Sequence, residues 1–133
     1  SYYKETERRV TELEAKGQLF LGMGISGGAE GARHGPAIMA GGSEESWARV
    51  KGPLQDASAK FEDDPCCDWF GPGGSGHFIK MLHNGIEYAD MQMIAEAYGL
   101  MRDGWGMDAA AIGDVFSGWM GGPLNGGRGG AGP

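Results

Sequence analysis

Apolar positions fall into three short runs before residue 73 and into helical spacing after it. Gln18-Leu19-Phe20-Leu21-Gly22-Met23, Ala37-Ile38-Met39-Ala40 and Cys67-Asp68-Trp69-Phe70 are each short and bounded by Gly or Pro, as buried strands are. Ser1 to Lys16 sets Val10 and Leu13 among charges, with Glu5 and Arg9 four apart, which reads as an exposed amphipathic helix ended by Gly17. Ser26 to Ala32 suits a short helix or structured loop with Glu30 in its first turn. Ser43-Glu44-Glu45-Ser46 supplies a capping serine and an acidic first turn for a helix through Trp47, Val50, Leu54, Ala57 and Lys60, with a kink or break expected at Pro53. A long helix is expected from about Gly76 to Arg102, and a last one from the N-cap Asp108 through Ile112, Val115, Phe116 and Trp119.

Strand and helix alternate first, and helices then follow helices. The fold class is therefore α/β followed by all-α, with three parallel strands in the first part and the change of character at Gly71 to Gly76. This divides the chain into 1–72, 73–119 and a glycine-rich tail, 120–133, expected to be disordered or foreign to the fold.

Charge and cysteines narrow the function classes. With 11 Lys+Arg against 18 Asp+Glu the formal charge is −7, which offers no footprint for nucleic acid or an anionic membrane. No run of about 18 apolar residues is present. The two cysteines, Cys66 and Cys67, are adjacent and suit reduced thiols in the cytoplasm rather than a disulfide or a metal site. His34 and His77 have no metal partners at ligand spacing, so no metal is expected, and Met81, Met91, Met93 and Met101 read as helix core.

One polar helix face stands apart. Lys80, His83, Asn84, Glu87 and Tyr88 fall at i, i+3, i+4, i+7 and i+8, so at about 100° per residue they share one side of the long helix. A base, an acid, an amide and a phenol together suit a ligand better than a solvated surface. Two G-x-G-x-x-G matches, Gly22 to Gly27 and Gly71 to Gly76, each sit between a strand and a helix, but the first lacks a ribose-binding acid on a second strand and the second lacks a returning strand. Neither is taken as a dinucleotide site. Gly24-Ile25-Ser26-Gly27-Gly28 could instead cradle a carboxylate, or be a plain tight turn.

The stretches Phe20 to Pro36, Pro65-Cys66-Cys67-Asp68-Trp69 and Gly76 to Gln92 closely resemble decarboxylating 6-phosphogluconate dehydrogenase, in order and with compatible spacing from Ser1 to about Trp119. Gly74-x-Gly76-x-x-x-Lys80-x-x-x-Asn84 is shared with the wider β-hydroxyacid dehydrogenases, whereas His83-Asn84-Gly85-Ile86-Glu87-Tyr88 is similar to the 6-phosphogluconate branch. The resemblance implies the C-terminal part of a Rossmann-like domain leading into the long first helix of a helical domain. The chain is thus expected to be an internal fragment of a homodimeric enzyme of the pentose phosphate pathway, with the main NADP site outside it.

The implied reaction is oxidation of 6-phosphogluconate by NADP, loss of carbon dioxide and protonation of the enediol to ribulose 5-phosphate. By resemblance Lys80 is the general base and Glu87 the general acid. His83 and Asn84 hold substrate hydroxyls, Tyr88 meets the phosphate, and Ser26, Gly27 and Gly28 hold the carboxylate. Without a cofactor site the piece alone is expected to be inactive. The competing readings are a non-catalytic sugar-phosphate or carboxylate-binding module, and another β-hydroxyacid dehydrogenase.

Overall fold

The computed structural model describes residues 2–122; of the stretch 120–133 read above as a tail, Met120 belongs to the last helix and 123 onward lies outside the described residues. The architecture is α/β followed by all-α. Two compact units divide at Ile86 and are taken in turn.

In the first unit, α1 (Tyr3–Glu14) ends in a glycine cap. Gly17, at φ 70°, lets its own N–H reach Glu14 O at 2.9 Å while Gln18 N–H reaches Leu13 O at 3.0 Å, a geometry that costs an L side chain free energy and glycine nothing. Strand β1 (Leu21–Ser26), helix α2 (Gly28–His34) and strand β2 (Ala37–Gly42) follow, then α3 (Glu44–Ala57). Ser43 caps α3 as expected, its hydroxyl accepting from Ser46 N–H at 3.3 Å. Pro53 does not break α3. Pro53 and Arg49, whose carbonyl loses its helical donor, are both exposed, so water can take the vacant place.

The expectation of three parallel strands is corrected in one respect. In the three-stranded sheet, ordered β1-β2-β5, β2 and β5 (Cys67–Trp69) run parallel, but β1 and β2 are antiparallel, with Leu21 opposite Gly42 and Ser26 opposite Ala37. The reason is length: residues 27–36 fall short of the roughly one dozen a parallel crossover needs, so the chain turns back as a hairpin with α2 at its tip. The run 18–23 accordingly becomes a strand three residues later than its apolar pattern suggested. A second hairpin, β3 (Lys60–Phe61) with β4 (Asp64–Pro65), was not foreseen. Its turn residues Glu62 and Asp63 both take positive φ, 48° and 72°, a two-residue turn that usually calls for Asn or Gly and so carried no sequence signal.

Period-two alternation gives the sheet two different faces. Ile38, Ala40 and Cys67 point to α3 and form the core with Trp47, supported by Leu21, Met23, Leu54 and Trp69. The opposite face of β1 and β2 presents Gly22, Gly24 and Gly41, and here α1 and the start of α4 (Ser75–Gly99) lie directly on the backbone. A methyl group on Gly76 would overlap Met39 O and stand 2.7 Å from Gly22 O and 2.8 Å from Gly41 N. Because these first turns of α4 pack on the sheet, the compact unit extends to Ile86, past the glycine-rich junction at 71–76 where strands give way to helices.

The second unit contains the rest of α4, a π-helical turn at Leu100–Gly104 and α5 (Ala109–Met120). Asp108 caps α5 as expected, accepting from Ala111 N–H at 2.8 Å. Met101 and Ile112 are its buried apolar side chains, and Phe116 meets Trp119 edge to face. Of the methionines expected in helix core only Met101 is buried among the described residues; Met81, Met91 and Met93 are exposed.

Candidate active site

The glycine face of β1 decides what the first-unit site looks like. A Cβ on Gly24 would collide with Lys80 Cβ and come within 2.9 Å of Gly76 O, so the lysine stem lies flat across the strand. That contact leaves Lys80 half-buried along its carbons, with the amine carried past the strand. Its Nζ stands 3.3 Å from His83 Nδ1, and the same ring nitrogen is 3.2 Å from Asn84 Oδ1. The other ring nitrogen, Nε2, reaches back to Ser26 Oγ at the end of β1, at 3.4 Å. Four of the eight expected site residues, Ser26, His83, Lys80 and Asn84, are therefore joined in one polar chain, whose Ser26–His83 contact spans 57 positions.

The glycines beside Ser26 keep the strand end open. Gly27 takes φ 142°, and a Cβ there would stand 2.7 Å from Gly31 Cα, so only glycine lets the chain turn so closely into α2. Gly28 is exposed, with nothing within 4 Å of the place a Cβ would occupy. The turn is thus both tight and accessible. Glu87 and Tyr88 open the second unit on the continuing helix, both exposed.

Neither glycine motif fits a dinucleotide pyrophosphate. Gly22 and Gly24 are filled over by Thr6, His77 and Lys80, and Gly76 by the backbone of β1 and β2. Gly73 has the Glu7 side chain 3.3 Å from its Cβ position, the wrong charge for a phosphate. These glycines serve helix-on-strand packing. Among the described residues no group of three or more His, Cys, Asp or Glu side chains could hold a metal ion.

Two residues beside the site were not singled out for it. Thr6 Oγ1 lies 2.8 Å from His77 Nδ1, and the His77 ring also hydrogen-bonds to the main chain of Met23. Burial holds this imidazole below its ordinary value of 6.5, opposed by the Met23 bond. His77 precedes Lys80 by three residues and shares its face of α4, a spacing visible in sequence; its partner Thr6, in a charged helix, gave no such signal.

Comparison with known proteins adds the lineage. Residues 1–71 match the NAD-binding domain of 6-phosphogluconate dehydrogenase, and residues 76–126 match the C-terminal domain of 6-phosphogluconate dehydrogenase. The chain belongs to the 6-phosphogluconate dehydrogenase family. It is 52% identical over 125 residues to the decarboxylating 6-phosphogluconate dehydrogenase 1 of Saccharomyces cerevisiae, covering 94% of this chain and 26% of that protein. The human decarboxylating enzyme is 52% identical over 120 residues, covering 90% of this chain and 25% of that protein. Among solved structures, Plasmodium falciparum 6-phosphogluconate dehydrogenase, determined apo, with NADP+ and with 6-phosphogluconate, aligns with a TM-score of 0.88 at 42% identity over 94% of this chain and 27% of that one. A putative oxidoreductase from Mycobacterium avium aligns with a TM-score of 0.74 at 25% identity over 96% of this chain and 43% of that one. The chain spans about a quarter of the length of the curated 6-phosphogluconate dehydrogenases it matches.

Proposed function

We propose that this chain supplies the substrate-handling segment of a decarboxylating 6-phosphogluconate dehydrogenase that uses NADP as hydride acceptor. The observation that carries the reading is the chain Ser26–His83–Lys80–Asn84, which places an amine beside an open glycine turn in a family whose named members act on this sugar acid. Lys80 takes the proton of the substrate 3-hydroxyl as hydride leaves the same carbon. The β-keto acid then loses carbon dioxide, and Glu87 protonates the resulting enediol. Ser26, Gly27 and Gly28 receive the substrate carboxylate, and His83 and Asn84 bond its hydroxyls, Asn84 offering both donor and acceptor. Tyr88 meets the phosphate.

The two matched domain types span the junction of a nucleotide-binding and a helical domain, consistent with a longer enzyme. The exposed apolar side chains Met91, Met93, Ile94 and Trp119 support a surface that is covered in that enzyme, which we read as a cytoplasmic homodimer.

The test pairs the isolated 133 residues with the full-length enzyme carrying them. The isolated chain gives no NADP reduction with 6-phosphogluconate, because its glycine motifs are packed shut; the full-length enzyme reduces NADP with 6-phosphogluconate and not with non-phosphorylated β-hydroxy acids. Turnover by the isolated chain, or a preference for a non-phosphorylated acid, contradicts the proposal.

A further inference from the structure

We propose that Thr6 and His77 are positioning residues for the Lys80 amine, acting through the register of α4 on β1. This rests on the reading of Lys80 as the base.

Gly22, Gly24 and Gly41 make the sheet face under α4 smooth. Close approach is gained, but side-chain interlocking, which ordinarily fixes how far a helix has slid along a strand, is lost. A slip of one residue moves the helix about 1.5 Å along its axis and carries Lys80 with it. The backbone contacts of Gly76 already bar a slip that would bring Ser75 or His77 into its place, and polar contacts can fix the position within that limit.

The polar contacts at the start of α4 do so. Of the buried polar residues, Ser46 and Ser58 bond within their own turns, to Ser43 and Gln55. Thr6 is 2% exposed and, besides a local contact to Tyr2 O at 3.4 Å, spans 71 residues to His77 Nδ1 at 2.8 Å. The His77 ring makes a second bond, donating to the Met23 main chain on β1. One imidazole thus ties α1, β1 and α4 together, three residues before Lys80 on the same helix face. A slipped register would break the Thr6–His77 bond and leave the buried hydroxyl only its longer contact to Tyr2 O, so the bond favours one position for α4 and hence for the amine.

The experiment compares Thr6→Val, which keeps the shape and removes the hydroxyl, with Thr6→Ser, which keeps the hydroxyl, in the full-length enzyme. Thr6→Val lowers kcat with 6-phosphogluconate about tenfold or more while KM stays within about twofold, and Thr6→Ser stays within about twofold of wild type in both. Deuterium at the oxidised carbon then slows Thr6→Val more than wild type, because hydride transfer from a mispositioned hydroxyl limits turnover. Thr6→Val with wild-type kcat overturns the proposal, as does an equal loss in Thr6→Val and Thr6→Ser that merely follows a loss of folded protein. If wild type does not turn over 6-phosphogluconate at all, the functional reading falls by itself. The positioning claim is then decided by crystal structures of the two variants: loss of the Ser26 Oγ–His83 Nε2 contact, which joins β1 to α4, in Thr6→Val alone supports it, and retention in both overturns it.

Discussion

Replacing Lys80 by Met in the full-length enzyme lowers kcat for 6-phosphogluconate about 10³-fold while substrate still binds, the loss expected when a general base is removed and its packing kept. Methionine preserves the stem that lies across Gly24, so the strand and helix stay in contact. Lys80→Arg separates base from charge. Arginine keeps the cation but does not give up its proton near neutral pH, so it fails as Met does if Lys80 is the base, and recovers activity if the site only needs a positive charge. Steady-state kinetics on the two variants, with binding measured by calorimetry, check this. Near-normal turnover by Lys80→Met removes Lys80 from the proposed role.

Gly76→Ala destabilises the first unit by roughly 3 kcal/mol or more, the upper range for forcing a methyl group into a packed interface. The added carbon meets Met39 O, Gly22 O and Gly41 N, all backbone, and no side chain can turn aside to admit it. The helix must lift from the sheet, and activity goes with it because Lys80 rides on the same turns. Gly113→Ala is the matched control: nothing lies within 4 Å of its Cβ position on α5, so the substitution stabilises by about 0.5–1 kcal/mol through helix propensity. Urea unfolding of both variants gives shifts of opposite sign. A small effect at Gly76 contradicts the close approach of α4 to β1 and β2.

The close approach also explains what the sequence could and could not show. Caps were readable because they are local: Gly17, Ser43 and Asp108 each sit within a few residues of the groups they satisfy. The antiparallel pairing of β1 with β2 was missed because direction depends on the connection between strands, and a helix there suggested the wrong one. The glycine motifs were set aside as dinucleotide sites, but what they do instead was not legible. Gly22, Gly24 and Gly76 match a phosphate-binding spacing, yet the same absence of side chains serves a helix lying on a sheet, and only the position of α4 separates the two uses. For the site, Lys80, His83 and Asn84 were visible as a helix face, and Ser26 as part of a possible carboxylate cradle and by resemblance. Thr6 was invisible, because a threonine in a charged helix becomes informative only when His77 is seen against it.

The proposed function requires one sugar acid to pass through oxidation, decarboxylation and protonation. It is tested most directly by product analysis of the full-length enzyme with 6-phosphogluconate and NADP in deuterium oxide. The expected result is NADPH and carbon dioxide in equal amounts, with ribulose 5-phosphate carrying one solvent deuterium at the carbon that lost the carboxylate. NADPH formed without carbon dioxide, with a keto acid accumulating, would contradict it.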